Sequence, residues 1–330
     1  MRTKNRSGVT GDQASESLPA TRAPRRISAR LLLATIALAS LALVAAACGG
    51  DDGDDAASGG TLRIAAIPDQ EPERLARTYG LVSAYLSEAL DVEVEYVPVT
   101  DYPASVSLFR TGDLDLVWYG AVTGVQARLG TPGALVLAQR DIDAEFRSVF
   151  VANTDAGIEP FDDVAGLSAL AGTRFTFGSE TSTSSRMMPQ FFLDQAGVAL
   201  EDFDGDVGFA GSHDAVLAAV ESGSFETGTL AEAVWYSRVE EGAVDTDRVE
   251  LIFTTPTYGN YHWLLQPQTL ERYGDDFEDR VRDAILALSP DDPEHAEILE
   301  LFEAEQFIPA DASLYETTEV IGRELGVITD

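Results

Sequence analysis

Apolar runs of strand length alternate with amphipathic helical stretches along this chain from Leu62 onward. That alternation restricts the fold more than any single motif does. Leu62 to Ile67 reads as a buried strand, followed by the loop Pro68-Asp69-Gln70-Glu71-Pro72. Leu75, Tyr79, Val82, Leu86 and Leu90 then recur at intervals of 4, 3, 4 and 4, the spacing of one helical face. Val92 to Val99 alternates as a half-exposed strand does. Pro103 suits the first turn of the next helix. A strand at Leu114 to Trp118, a helix from Ala121 to Leu129, and strands at Leu135 to Ala138 and Ser148 to Ala152 follow. After Asn153 the pattern restarts. A short helix at Phe161 to Leu167 leads to a strand at Phe175 to Phe177, and Ser212-His213-Asp214 caps a helix to Glu221. Thr227 to Leu230 and Val249 to Phe253 read as strands, Glu232 to Val239 as a helix, and Tyr261 to Leu265 is apolar and aromatic again. Three helices close the chain, around Phe277 to Leu288, Glu294 to Phe302 and Tyr315 to Leu325. Such alternation predicts parallel-rich α/β sheets covered on both faces.

In open α/β sheets, ligands sit at the carboxyl ends of the strands. Here those ends are Asp69-Gln70, Thr100-Asp101-Tyr102, Trp118-Tyr119-Gly120, Ser179 to Ser185 and Gly211-Ser212-His213. Nearly all are polar, aromatic or helix-capping, which predicts a cleft between two sheets. The densest stretch is Phe175 to Gly197, FTFGSETSTSSRMMPQFFLDQAG. Ser179, Thr181, Ser182, Thr183 and Ser184 crowd one turn, with Ser185 behind them, and Met187, Phe191 and Phe192 then mark a helical face. A strand end, a hydroxyl-rich turn and a helix start aim N–H groups, hydroxyls and a positive dipole end at one point, where an anion fits. A plain N-cap would need only one of those hydroxyls. Pro189, a little over one turn in, is expected to remove a backbone bond and kink the helix.

The N-terminus reads as an export signal. Arg22, Arg25, Arg26 and Arg30 precede an apolar run from Leu31 to Ala47, which ends in small residues before Cys48. Cys48 is the only cysteine, so no disulfide forms within the chain. Residues 1–47 are expected to be a lipoprotein signal peptide, with Cys48 as the lipidated first residue of the mature chain. A transmembrane anchor is the alternative, but the run is short for a span. Residues 48–60 form a flexible acidic tether. Removing residues 1–47 takes away seven basic and two acidic residues, leaving 15 basic against 54 acidic and a net charge of −39. Nucleic acid is excluded as a partner by that charge. An anion site on such a surface must work through short-range hydrogen bonds in a closed pocket.

Six segments in order carry a family resemblance: LRIAAIPDQEP (Leu62 to Pro72), VPVTDYPASV (Val97 to Val106), DLDLVWYG (Asp113 to Gly120), RSVFVAN (Arg147 to Asn153), FTFGSETSTSS (Phe175 to Ser185) and GSHDA (Gly211 to Ala215). Together they resemble the substrate-binding proteins of phosphate/phosphite/phosphonate ABC importers. The resemblance implies the two-lobed α/β fold of type II periplasmic-binding proteins, with a ligand cleft between the lobes. Lobe 1 is expected over residues 61–153, completed by helices in 262–330 that pack on it, and lobe 2 over 154–261 with the return crossing. The family grips an oxyanion with a Ser-Thr-Ser turn, which falls here on Ser182, Thr183 and Ser184. Its histidine falls on His213 and its tyrosine on Tyr102. Ser185 stands where the family often has glycine, and Phe146-Arg147 matches an aromatic position of the family. The pieces IPDQEP and RDIDAEF are similar to a branch linked to selenate uptake, so selenate stands as the alternative ligand. The resemblance further implies an ABC permease as partner, a lipid-anchored place on the extracytoplasmic face, a monomer, and no cofactor.

Tyr119 and Gln70, at strand ends, and Arg147 complete the expected oxyanion contacts. Arg147 either grips the anion in bidentate fashion or pairs with an acidic neighbour. His213 is expected to rise toward or above neutral when an anion binds. His262 and His295 are read as structural, and no metal-ligand spacing is present. Trp118 is read as core. Tyr258, Tyr261 and Trp263 either pack or line the cleft. Glu232 is read as a first-turn acid, the alternative being the carboxylate that an amine-bearing phosphonate would need. Ser184, His213 and Asp214 supply the residue types of a hydrolase triad, but there is no G-x-S-x-G elbow, and Asp214 directly follows His213. The expectation is a binding protein with no catalytic residue.

Overall fold

The computed structural model describes residues 60–329. The expected signal peptide, Cys48 and all of the tether except Gly60 lie outside the described residues. The first stretch runs β1 (Leu62–Ala66), α1 (Pro72–Leu90), β2 (Val94–Tyr96), α2 (Tyr102–Thr111), β3 (Leu116–Tyr119), α3 (Ala121–Leu129), β4 (Leu135–Val136) and β5 (Ala138–Arg140). Then come β6 (Ser148–Asn153), β7 (Phe175–Phe177), α4 (Met188–Gln195), β8 (Gly208–Phe209), α5 (His213–Glu221), β9 (Thr227–Ala231), α6 (Glu232–Glu240) and β10 (Val249–Thr254). The chain closes with β11 (His262–Leu265), α7 (Gln268–Tyr273), α8 (Phe277–Leu286), α9 (Pro293–Leu301), β12 (Phe307–Pro309) and α10 (Glu316–Glu324).

Helix boundaries follow from caps and apolar stripes. α1 opens with Pro72 in its first turn and buries the whole stripe from Leu75 to Leu90. In α2, the Asp101 side chain accepts from Ala104 N at 2.7 Å. That helix ends at Gly112, whose φ of 77° favours glycine.

Two five-stranded sheets result, in the orders β2-β1-β3-β11-β4 and β10-β6-β9-β7-β8, with a small β12-β5 pair. β1 pairs in parallel with β2 and β3, and β7 in parallel with β8 and β9. The sheets are more mixed than the alternation predicted. β11 runs antiparallel in the first sheet and β6 in the second, because each is the strand on which the chain arrives from the other sheet. β6 thus pairs within the second sheet, and the first crossing runs through residues 141–147, ahead of the expected boundary at Asn153.

The two crossings lie side by side. Phe146 and Tyr258 exchange backbone hydrogen bonds, each 2.9 Å. Asp143 fastens them: its carbonyl accepts from Asn260 N at 3.0 Å and its carboxylate from Tyr261 N at 3.2 Å. The C-terminal helices α8 and α9 pack on α1, and α10 packs on α3. Trp118 and Trp263 are core, as Trp118 was read, packed with Tyr79 and Phe302. His262 is structural, buried against Tyr315 with ring centroids 4.1 Å apart. Among the described residues no helix is long and apolar enough to cross a membrane.

Candidate ligand-binding site

The hydroxyl turn after β7 is buried from Ser182 to Ser185. Thr183 to Met187 form one wide turn in which Met187 N bonds to Ser182 O, five residues back, at 3.0 Å. Pro189 sits in the first turn of α4, and the expected kink falls at Ser185, four residues before it, where φ −112° and ψ 15° leave the helical range. Its missing N–H frees the Ser185 carbonyl. That carbonyl accepts from Gly178 N at 3.0 Å and from Thr229 Oγ1 at 3.2 Å. The Ser148 hydroxyl donates to the Ser184 carbonyl. The turn is thereby bolted to β6, β9 and the end of β7. Gly178 must be glycine here, since a Cβ would lie 2.2 Å from Ser185 Oγ.

Three helix starts meet at this turn. Ser182 caps the turn itself, its Oγ accepting from Ser185 N at 3.2 Å. At the start of α3, Val122 N donates to Thr183 Oγ1 at 2.9 Å and Ala121 N to Asn260 Oδ1 at 3.2 Å. Thr183 therefore joins the second sheet's turn to a helix of the first. At α5, Ser212 caps the helix and His213 N donates to the Asp69 carbonyl at 2.9 Å. Ser184 Oγ and Asn260 Nδ2 are buried without a protein partner. Buried polar atoms normally have one, so two such atoms beside three helix starts mark a place where polar ligand atoms fit.

His213 is fully buried. Ala231 N donates to its Nδ1 at 3.4 Å, which leaves the proton on Nε2, 3.3 Å from the Tyr261 hydroxyl. Burial pushes this imidazole down to about 4. That is opposite in direction to the shift expected beside an anion, and Asp214, the carboxylate that opposes it, is held by Arg238 at 2.6 Å. In this conformation the ring is a neutral donor. Tyr102 is buried at the start of α2, its hydroxyl well above the usual tyrosine range through burial and the Asp69 charge, with Ser182 beside it pulling back.

Three expected contacts are placed differently. The Tyr119 hydroxyl turns into the core and donates to the Ser105 carbonyl at 2.8 Å. The Gln70 Oε1 accepts from Arg238 Nη2 at 2.7 Å, so its acceptor is spent tying α6 to the β1 loop, although the residue still borders the cleft. Arg147 is exposed on the outside, where Glu232 faces it. The buried arginine of the cleft is Arg140, bonded to Asp143 through Nε at 2.8 Å and Nη2 at 2.9 Å. It lies over the rings of Trp118, Phe146 and Tyr261, at 5.6, 5.6 and 4.9 Å. Arg140, Asp69, Asn260 and Tyr261 are the cleft residues that the sequence reading left out of the site. The burial of Phe146 and Ser148 on either side turns Arg147 outward. The hydrolase arrangement does not form: His213 faces Tyr261 and Ala231, and Asp214 faces Arg238 and Glu71 N.

A cavity walled by Asp69, Trp118, Arg140, Phe146, Tyr261 and Phe302 lies between β1, β5 and the return crossing, and none of the turn residues lines it. Its free volume, about 20 Å³, suits roughly one water molecule. The lobes are in contact across the cleft, through Val122 N to Thr183 Oγ1 at 2.9 Å and His213 N to the Asp69 carbonyl at 2.9 Å. The chain has one lysine, Lys4, so positive potential at the cleft comes from helix ends and from arginines, of which Arg74 and Arg140 line the cavity.

Two mixed α/β lobes, two side-by-side crossings and polar helix starts gathered between the sheets define a two-lobed solute-binding protein. Residues 64–315 match the family described as "ABC transporter, phosphonate, periplasmic substrate-binding protein". The chain belongs to that family, whose members are substrate-binding proteins and not enzymes. It is 47% identical over 268 residues to "Probable ABC transporter phosphite binding protein PhnD1" of Prochlorococcus marinus (strain MIT 9301), covering 81% of this chain and 90% of that one. The solved structure of that PhnD1 in complex with methylphosphonate superposes with a TM-score of 0.80 at 46% identity, covering 82% of this chain and all of the other. A binding protein component of an ABC phosphonate transporter from Pseudomonas aeruginosa shares the fold at 16% identity, with a TM-score of 0.68 over 79% of this chain and 85% of that one.

Proposed function

We propose that this chain captures a small tetrahedral phosphorus oxyanion, phosphite or a short alkylphosphonate such as methylphosphonate, and delivers it to an ABC permease. The observation that carries the reading is the meeting of three helix starts with Ser182, Thr183, Ser184, His213 and Tyr102, at a place with unpartnered buried polar atoms. Hydroxyls and amides hold such an anion without a lysine, and closure excludes water from it. PhnD1, the relative named a probable phosphite binding protein and solved in complex with methylphosphonate, supports that choice of ligand. A thermal-shift panel of phosphite, methylphosphonate, aminoethylphosphonate, phosphate, sulfate and selenate tests it. A ligand at 100 times its Kd raises stability by about 2.7 kcal/mol, and the two first-named anions should give the largest shifts. A shift with selenate alone assigns the receptor to selenate instead, and no shift with any oxyanion overturns the reading.

The receptor acts as a monomer on the extracytoplasmic face, held by lipid on Cys48 behind the acidic tether. The basic segment, apolar run and small residues before Cys48 support this. Cells given radiolabelled palmitate should incorporate it into the wild-type protein and not into Cys48→Ala. Absence of label from the wild type refutes the anchor.

A further inference from the structure

Asp69 is a buried carboxyl for which the grip just described has no use. It stands beyond the C-terminal end of β1, with its carbonyl pinned by His213 N and its side chain against the cavity. Every element packed around it contributes a titratable or charged group. Tyr79 comes from α1, Tyr96 from β2, Tyr102 from α2 and Tyr261 from the return crossing, and the Tyr261 hydroxyl bonds to the carboxyl. Arg140 of β5 is the nearest cation, but Asp143 already neutralises it, and Glu303 beyond α9 adds a like charge. His213 lies one phenol further on, neutral, at 3.3 Å from Tyr261. Asp69 thus has one hydroxyl partner, Tyr261, further phenols around it, and no cation that is not already paired. Burial raises this carboxyl to about 7, so it holds or releases a proton in the range where phosphorus oxyanions do.

We propose that Asp69 meets the bound oxyanion and shares one proton with it, so that ligand capture is coupled to a single proton held between the carboxyl and a ligand oxygen. The inference rests on the oxyanion reading of the cleft. Two negative groups without a proton between them repel at contact in a dry site, whereas one shared proton turns the pair into a short charge-assisted hydrogen bond. A monoanion brings the proton and meets ionised Asp69. A dianion brings none, and the pair takes one from solvent. Above the pH at which both partners are ionised, affinity therefore falls about tenfold per pH unit, because one proton enters with each ligand.

Calorimetry of methylphosphonate binding, repeated in buffers of different ionisation enthalpy, counts that proton directly. Wild-type protein at pH 8.5 should take up about one proton per ligand, and its affinity should decline with pH between 7.5 and 9. Asp69→Asn keeps the shape and carries no titrating proton, so uptake should fall toward zero and the pH dependence should flatten. Wild-type binding without proton uptake overturns the proposal, whether or not the variant folds. Uptake that persists in Asp69→Asn overturns it as well, since the proton then sits on the ligand alone or on His213. Failure of the wild type to bind any phosphorus oxyanion refutes the oxyanion reading of the cleft instead.

Discussion

Asp143→Ala should cost about 3–5 kcal/mol of folding stability, the range for removing one partner of a buried ion pair. The Asp143 carboxylate is fully buried and accepts from Arg140 N, Nε and Nη2 and from Tyr261 N, at 2.8–3.2 Å. Truncation leaves the Arg140 guanidinium among Trp118, Phe146 and Tyr261, with Glu303 as its nearest carboxylate at 4.0 Å. Burial pushes the Asp143 carboxyl up more strongly than Arg140 draws it down, which marks the pair as expensive to desolvate. The double replacement Arg140→Met with Asp143→Leu should therefore cost less than Asp143→Ala alone. The effect reaches the ligand too. Asp143 holds both crossings, so its loss should loosen Asn260 and Tyr261 and weaken binding. Urea denaturation of the three proteins measures the first effect. A loss below about 1 kcal/mol for Asp143→Ala, the range of an exposed pair, would show that the pair does not brace the hinge.

The hydroxyl turn was legible because its signal is local. A strand, five hydroxyls and a helix start are contiguous in Phe175 to Gly197, and Ser212-His213 repeats the logic within two residues. α3 was read at its observed limits, and the α1 stripe is the one it buries, since helical period and caps are written within one segment. Arg140 was missed, and Asp69 was read only as a strand end and not as a contact, for the opposite reason. Their surroundings are assembled from α1, β2, α2 and the return crossing, up to about 190 residues away in sequence. Arg147 drew notice by standing at the head of β6, yet Phe146 and Ser148 on either side are buried, so alternation faces it outward. Tyr119 ends a strand buried at every position, which gives no period from which to choose its face. Strand direction was lost likewise. Whether β6 and β11 run with or against their neighbours depends on which sheet the chain has just left.

Thr183→Ala and His213→Ala should each weaken oxyanion binding by about tenfold or more, with Arg147→Ala unchanged. Thr183 Oγ1 receives Val122 N–H across the closed cleft. Without it, a buried amide at the start of α3 loses its acceptor, a loss worth about 1–3 kcal/mol. Because that contact exists only when the lobes meet, the penalty falls on the closed state, and apparent affinity drops by the same free energy, at 1.4 kcal/mol per decade. His213→Ala removes the Nε2 donor and leaves Ala231 N without its acceptor. Ser184→Ala separates grip from fold more cleanly. Ser184 Oγ has no protein partner, so its removal should leave the melting temperature of the free protein unchanged or slightly higher. Affinity should nevertheless fall, because a hydroxyl bond to a charged oxygen is worth about 1.5–3 kcal/mol. Calorimetry with methylphosphonate, alongside thermal melts of the free variants, reads both quantities. If Ser184→Ala and Thr183→Ala bind as the wild type does while Arg147→Ala abolishes binding, the anion is held by an arginine clamp at the outer edge of β6, and the hydroxyl turn is only a helix cap.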